Sequence, residues 1–169
     1  MDAMEPRWLD DTEMATWLRL VALVELLPGA LDSQLQRDSQ LSHYEYFVLA
    51  ILSEAPERTL RMSELAERTN ASLARLSHVV RRLERRGLIE RSPDPDDARA
   101  TNARLTDQGR AAIVAAAPGH VANVREQVMD ALSPEQIRQL GEIADRLLTR
   151  LDPGNKMTAA VRGRGTPAN

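Results

Sequence analysis

The segment from Ser72 to Arg86 constrains the fold most, because it sorts apolar and basic side chains onto two faces of one helix. Both sets recur at spacings of three and four residues, which is the period of a single helix face. The apolar set comprises Leu73, Leu76, Val80 and Leu83. The polar set, offset by two positions, comprises Arg75, His78, Arg82 and Arg85. The pattern predicts a helix, capped at Asn70 or Ser72, that packs one face into a core and offers the other to a partner.

The elements around this helix follow a characteristic order. A compact helix is predicted at Ser63–Arg68, with a short turn between it and the Ser72 helix. Gly87 ends the longer helix, and two alternating segments, Leu88–Arg91 and Thr101–Leu105, are predicted to pair as strands. A short helix, a turn, a basic-faced helix and a hairpin make up a winged helix-turn-helix, whose second helix enters the major groove of DNA.

Helices are also predicted on both sides of this lobe. A long amphipathic helix over Asp10–Arg37 contains Pro28 and Gly29, and another over Thr106–Ala131 contains Pro118 and Gly119. Because proline removes a backbone donor and crowds the preceding turn, we expect each helix to kink or break at its proline. Capping-box patterns start two further helices. These begin at Ser42 and Ser133.

The predicted fold class is therefore mainly α with a small β-hairpin, a winged helix-turn-helix with N- and C-terminal dimerisation helices. Residues 1–40 would hold the N-terminal dimerisation helix, 41–110 the DNA-binding domain and 111–151 the C-terminal dimerisation helices. The remainder, 152–169, is rich in Gly, Pro and Arg and is expected to be disordered. The flanking helices carry more apolar surface than the lobe could cover, which predicts a homodimer.

The net charge of −3 hides an uneven distribution of charge along the chain. Residues 58–110 carry 12 arginines and 8 acidic residues, a local net charge of +4, which leaves −7 for the rest of the chain. Local charge builds the field that a phosphate backbone meets, so this distribution favours double-stranded DNA as the partner. A solvated basic face remains the alternative, because Lys156 is the only lysine and the chain favours arginine throughout.

Candidate DNA contacts lie at the start of the basic-faced helix and in the loop of the hairpin. Arg75 suits bidentate hydrogen bonding to guanine, and Arg82 suits a phosphate contact or an ion pair. Residues two apart in extended backbone point the same way, so Asp97 is expected to hold Arg99 for a narrow, A·T-rich minor groove. An exposed ion pair without function is the alternative. The full candidate set is Ser72, Leu73, Ala74, Arg75, Ser77, His78, Arg82, Asp97 and Arg99.

Two linked motifs carry a family resemblance. The run ELAERTNASLARLSHVVRRLERRGLIER, followed by DPDDARATNARLTDQG, resembles the MarR (multiple antibiotic resistance regulator) family, whose wing reads D-P-x-D-x-R with L-T-x-x-G downstream. The matching positions are Asp94, Pro95, Asp97, Arg99, Leu105, Thr106 and Gly109. The resemblance covers about residues 45–110. It implies a homodimeric, sequence-specific transcriptional regulator on an inverted-repeat operator, commonly a repressor released by a small-molecule effector. It also implies that Arg99 enters a minor groove and that Asp97 orients it.

The resemblance further implies a site for a small aromatic or anionic effector between the dimer helices and the DNA-binding lobe. All five aromatic residues fall within the first 47 positions, where the helices that would line this crevice are predicted. The pocket candidates are Trp17, Arg19, His43, Tyr44 and Tyr46, with Arg19 as the partner of an anion. The alternative is that the aromatic side chains belong to the core.

The sequence shows few features of other function classes. No nucleophile and base pair, phosphate-binding glycine loop or metal-ligand spacing is visible, so we expect no enzyme activity, cofactor or metal. The chain has no cysteine, which excludes disulfides and thiolate ligands. No apolar run approaches the roughly 20 residues needed to cross a bilayer, so no membrane contact and a cytoplasmic location are expected. The rival class is a helical dimeric ligand-binding or protein-interaction module without DNA binding.

Overall fold

The helices and strands follow the predicted order in the computed structural model, which describes residues 6–97 and 99–158. Within these residues, six α-helices flank or build a lobe that contains a small sheet. The elements are α1 (Asp11–Ser39), α2 (His43–Glu54), β1 (Thr59–Arg61), α3 (Met62–Arg68), α4 (Leu73–Arg85), β2 (Ile89–Pro93), β3 (Thr101–Leu105), α5 (Asp107–Gln127) and α6 (Pro134–Leu151). The mainly α, winged helix-turn-helix class is confirmed.

Local chemistry explains where the helices begin and end. Ser42 and Glu45 close a capping box at α2: the Ser42 hydroxyl accepts the Glu45 N–H at 3.0 Å, and the Glu45 carboxylate accepts the Ser42 N–H at 2.8 Å. Ser72, rather than Asn70, caps α4, since its hydroxyl accepts the Arg75 N–H. After α4 the chain turns at Gly87, where a φ of +72° favours glycine.

The sheet has three antiparallel strands in the order β1-β3-β2. The hairpin pairs Ile89 with Leu105, and β1 adds to its other side with Leu60 opposite Ala103. The predicted hairpin is confirmed, and β1 proves to be its third strand. This pairing ties the segment before α3 to the wing, so the wing and the helix-turn-helix form one body.

The core of the lobe lies under α4. Leu76, Val80 and Leu83 are fully buried, as the apolar stripe predicts. Leu73 is not part of this core, because its side chain is 51% exposed. It lies in the first turn of α4 and lines a surface groove toward the wing. The apolar stripe therefore begins one turn later than the sequence pattern indicates.

A close backbone contact joins the wing to α5. A Cβ atom on Gly109 would lie 2.1 Å from the carbonyl oxygen of Leu88, so only glycine fits in the first turn of this helix. The Thr106 hydroxyl accepts the Gly109 N–H at 3.0 Å and donates to the Gly87 carbonyl at 2.7 Å. The L-T-x-x-G motif thus fixes the direction in which α5 leaves the lobe.

Neither internal proline ends its helix, which corrects the expectation of a break. Helix α1 is continuous through Pro28, and α5 is continuous through Pro118. The two helices pack against each other, and Gly119 allows a close approach, since a Cβ there would lie 3.1 Å from Gln34 Nε2. Packing along the pair offsets the loss of one hydrogen bond at each exposed proline, a cost of about 3 kcal/mol in an isolated helix.

Helix α1 is long and apolar enough to cross a membrane by length and composition alone, with a mean hydropathy of 1.5 in its most apolar stretch. This corrects the expectation that no segment qualifies. Arg19 and Glu25 interrupt the run, but two charges do not lower the average over a window of this length enough to exclude it. The exposed apolar side chains of α1 therefore need a covering surface.

The start of the tail differs from the expectation of disorder. Residues 152–158 form a turn around Asp152, whose carboxylate accepts the N–H groups of Lys156, Met157 and Thr158 at 2.9–3.1 Å. Lys156 also pairs with Glu67 of α3 at 2.9 Å. The rest of the predicted tail, 159–169, lies outside the described residues.

Candidate nucleic-acid interface

Ion pairing inside the lobe divides its arginines into two groups. Within the described residues, seven of the twelve arginines between 58 and 110 pair with an acidic side chain: Arg58, Arg61, Arg68, Arg82, Arg86, Arg91 and Arg104. The five that have no such partner in this part of the chain are Arg75, Arg81, Arg85, Arg99 and Arg110. The uncompensated positive charge therefore lies on α4, on the wing and at the start of α5. This uncompensated charge occupies a smaller part of the lobe than the net charge of residues 58–110 indicates.

The first two turns of α4 present an exposed surface. Ala74, Arg75 and His78 are exposed, and Ser77 is half-buried. The guanidinium carbon of Arg75 lies 4.6 Å from the centre of the Tyr44 ring. Ser72 is engaged as the helix cap, which leaves its hydroxyl less free for a direct contact to a base.

Arg82 is an ion-pair partner inside the lobe. Its Nε donates to Glu45 Oε1 at 2.7 Å, and Arg86 approaches the same oxygen at 3.8 Å. The Glu45 side chain is only 3% exposed, so it needs these cations to compensate its buried charge. Arg82, which was predicted to contact phosphate, therefore forms an ion pair that holds α4 against α2.

Asp94 organises the wing. Its two carboxylate oxygens accept Arg61 Nε at 2.8 Å and Nη2 at 3.0 Å, a bidentate contact from β1. The carboxylate also accepts the backbone N–H groups of Asp96 and Asp97. The hydrogen bonds from Arg61, and then those from the Asp96 backbone, hold the pKa of Asp94 below its ordinary value despite its burial. Asp94 therefore stays ionised and fixes the turn that carries Arg99.

Asp97 acts on Arg99 through the backbone, which corrects the expected contact to the guanidinium. Asp97 Oδ1 accepts the Arg99 N–H at 3.0 Å, and the Asp97 carbonyl accepts the Ala100 N–H at 2.9 Å. The segment is a turn and not extended backbone, so side chains two apart do not point the same way. Asp97 fixes the position of the Arg99 backbone, and the Arg99 side chain is exposed.

A groove of about 320 Å³ lies between the start of α4 and the wing. Its lining combines apolar, hydroxyl and charged side chains, including Ser63, Leu73, Ser77, Arg91, Asp97 and Arg99. Four of these, Leu73, Ser77, Asp97 and Arg99, belong to the predicted set, and the structure brings them to one surface. The exposed start of α4 and the exposed arginine loop of the wing therefore share a concave face.

The effector candidates do not form one pocket. Trp17 lines an apolar groove of about 580 Å³ between α1 and α6. His43 and Tyr46 lie instead with His120 of α5, with ring centres 6.0 and 4.4 Å from the His120 ring. Tyr44 faces α4 and contacts Arg75, and Arg19 is exposed on α1.

The two histidines of this cluster are held neutral by their surroundings. Burial lowers the pKa of His43, against an opposing effect of Asp32, and burial together with His43 lowers the pKa of His120. The Nδ1 atoms of both rings are buried and lack a hydrogen-bond partner within the described residues. No group of three His, Cys, Asp or Glu side chains suited to a metal occurs in this part of the chain.

Comparison with known proteins gives consistent matches. A model described as the MarR family matches residues 41–101. The crystal structure of Sco3205, a MarR family transcriptional regulator from Streptomyces coelicolor in complex with DNA, is 44% identical and superposes with a TM-score of 0.84, covering 89% of this chain and 94% of that chain. The chain belongs to the MarR family.

Two further relatives agree with this assignment. AbsC from S. coelicolor is 36% identical with a TM-score of 0.81, covering 86% of this chain and 98% of that chain. The transcriptional repressor YetL of Bacillus subtilis is 30% identical over 111 residues, which is 63% of this chain and 66% of YetL, just under two thirds. These relatives are transcriptional regulators by name and not enzymes.

Three side-chain contacts at the candidate site were not predicted from the sequence. Arg61 and Asp94 are 33 positions apart, and Glu45 and Arg82 are 37 apart, so only the tertiary fold joins them. Asp94 left a partial signal, because aspartate two residues before an exposed turn commonly accepts its backbone N–H groups. His120 left none, since it approaches His43 only when α5 packs beside α2.

Proposed function

We propose that this chain is a homodimeric transcriptional regulator that binds an inverted-repeat DNA operator. The observation that carries the proposal is the distribution of unpaired arginines. Four of the five lie on α4 or in the wing loop, and the fifth, Arg110, lies at the start of α5. The other seven arginines between 58 and 110 pair with acids within the described residues. A protein that used this surface only for solubility would gain little from confining its free positive charge to two adjacent structures.

In this proposal the start of α4 reads bases and the wing reads groove shape. Arg75 would bond guanine O6 and N7, and exposed Leu73 beside it suits contact with a thymine methyl group. Arg99 would enter the adjacent minor groove, where a narrow A·T-rich segment strengthens the negative potential. Arg81 and Arg85, farther along α4, would neutralise phosphates.

Unpartnered apolar faces support the homodimer. Helix α6 has no buried residue, and a stripe of exposed or half-exposed side chains at spacings of three and four runs along it: Ile137, Leu140, Ala144, Leu147 and Leu151. The facing surface of α1 includes Trp17 at 53% and Val24 at 61% exposure. A second copy related by a two-fold axis would cover both faces and set the two α4 helices one turn of DNA apart, roughly 34 Å.

The proposed action is repression in the cytoplasm, relieved by a small molecule. Its support is the name of YetL, which is a repressor, and a polar cluster at the junction of α2 and α5. His43, Tyr46 and His120 offer an aromatic face and two imidazole nitrogens that have no hydrogen-bond partner among the described residues, which suits a small aromatic or anionic effector.

A mobility-shift titration with duplexes from the promoter of the gene itself tests the proposal. With about six phosphate contacts per dimer, affinity should fall roughly a thousandfold between 50 and 200 mM salt. Arg75→Ala should relax the preference at one base pair per half-site, and Arg99→Ala should weaken binding most on A·T-rich flanks. Arg104→Ala, which removes an exposed pair with Glu90, is the control and should change little. Salt-insensitive or undetectable binding would favour the ligand-binding module without DNA binding.

A further inference from the structure

The base-reading helix receives a contact from a helix outside the helix-turn-helix. Arg75, in the first turn of α4, has its guanidinium carbon 4.6 Å from the centre of the Tyr44 ring of α2. This distance is within the range of a cation–π contact. Within residues 6–97 and 99–158 the Arg75 guanidinium has no acidic partner, so the Tyr44 ring is its main side-chain contact there.

Tyr44 is itself fixed to the turn of the helix-turn-helix. Its hydroxyl donates to Thr69 Oγ1 at 3.0 Å, and the Thr69 hydroxyl donates to the Leu65 carbonyl at 2.8 Å. Thr69 ends α3 and is 4% exposed. The ring therefore has a fixed position relative to the turn that sets the angle between α3 and α4.

We propose that Tyr44 is a positioning residue for Arg75 and thereby a determinant of base specificity, an inference that rests on the proposed DNA-binding function. An unsupported arginine loses rotamer freedom when it bonds a base, and this loss weakens binding. A cation held over a ring face has already lost part of that freedom, and its N–H groups remain available for guanine O6 and N7. Tyr44 stays stacked on Arg75 while Arg75 reads the base.

The other unpaired arginines of α4 lack this support. Arg81 Nε donates to the Ser77 carbonyl, a contact along its own helix. Arg85 lines a surface groove and is exposed. Phosphate contacts tolerate such mobility because they carry no sequence information, whereas bidentate contact to a base requires a defined position. Among the unpaired arginines of α4, the Tyr44 ring contacts Arg75, whose proposed base contact requires a defined position.

The test compares Tyr44→Leu, which removes the ring, with Tyr44→Phe, which removes only the hydroxyl. A duplex selected by the wild-type protein from a random-sequence pool supplies the specific probe, and a scrambled duplex of equal length supplies the non-specific one. Fluorescence anisotropy should show about fivefold weaker specific binding per half-site for Tyr44→Leu. The affinity for the scrambled duplex should not change. Tyr44→Phe keeps the ring but loses the hydrogen bond to Thr69, so its specific affinity should lie between those of wild type and Tyr44→Leu.

A double-mutant cycle separates positioning from general folding effects. In the Arg75→Ala background, Tyr44→Leu should cause no further loss of specific affinity, because the cation that the ring supports is gone. Losses that add, equal losses on both duplexes, or tighter binding by Tyr44→Leu would each overturn the inference. A wild-type protein that selects no sequence from the pool would instead overturn the proposed function.

A measurement on the wild-type protein keeps the inference testable if Tyr44→Leu does not fold. The ¹H–¹⁵N nuclear Overhauser effect of the Arg75 Nε–H reports its motion on the picosecond to nanosecond timescale. A value near those of backbone amides in α4 is expected, with Arg85 as the mobile control. If Arg75 is as mobile as Arg85, Tyr44 does not position it.

Discussion

Replacing Glu45 should destabilise the lobe far more than replacing an exposed acid. Glu45→Ala removes the carboxylate that accepts the Ser42 N–H at 2.8 Å and Arg82 Nε at 2.7 Å. The capping contact contributes about 0.5–1 kcal/mol, and a charge-assisted hydrogen bond contributes about 1.5–3 kcal/mol. Because Arg82 is 45% exposed and regains water, the lower end of that range applies. The expected loss is about 2–3 kcal/mol.

Urea unfolding followed by far-ultraviolet circular dichroism measures this loss, with the protomer concentration held constant because a dimer's stability depends on it. Glu45→Gln keeps the volume but offers one acceptor oxygen for two donors, so an intermediate loss is expected. Glu90→Ala, which breaks a pair 55% and 54% exposed at its two ends, should cost at most about 0.5 kcal/mol. If Glu45→Ala costs no more than Glu90→Ala, the buried carboxylate does not hold α2 to α4 as the structure indicates.

Three other perturbations have defined outcomes. Arg82→Ala should destabilise the protein about as much as Glu45→Ala, because it leaves a buried carboxylate without its nearest cation; weaker DNA binding at unchanged stability would contradict this. Stability should fall as pH drops below 6.5, since burial lowers the folded-state pKa of His43 and His120 and the unfolded chain takes up protons first. A protein with both His43→Gln and His120→Gln should lose this pH dependence. If its stability changes with pH as in the wild type, the two histidines do not cause the dependence. Leu147→Asp should shift sedimentation toward a monomer by placing a charge in the proposed α1 and α6 interface, and an unaltered molar mass would remove these faces from the interface.

The sequence predicts the helices and strands of this protein well because each boundary depends on nearby residues. Ser42, Ser72 and Ser133 cap their helices through backbone N–H groups three positions away. The hairpin follows from alternation over a few residues on either side of a turn. Local interactions of this kind can be predicted from a single sequence.

The candidate site was less predictable because its arginines look alike in sequence. Arg75 and Arg82 lie on the same polar stripe, seven positions apart, yet Arg82 is engaged by Glu45 and Arg75 has no acidic partner within the described residues. What separates them is the packing of α2 across α4, a contact between segments more than 30 positions apart. The same long-range packing separates the aromatic residues into two places, since α1 carries Trp17 away from the α2 cluster.

The first turn of α2 connects the polar cluster with α4, the proposed base-reading helix. Tyr44 and Glu45 contact α4 through Arg75 and Arg82, while their neighbours His43 and Tyr46 contact His120 on α5. Since four consecutive residues of one helical turn move together, a ligand that displaces His43 or Tyr46 must also shift the supports of α4. An effector bound at this cluster is therefore expected to change the Arg75 Nε–H resonance without touching Arg75, and an unchanged resonance in the effector-bound protein would place the coupling elsewhere.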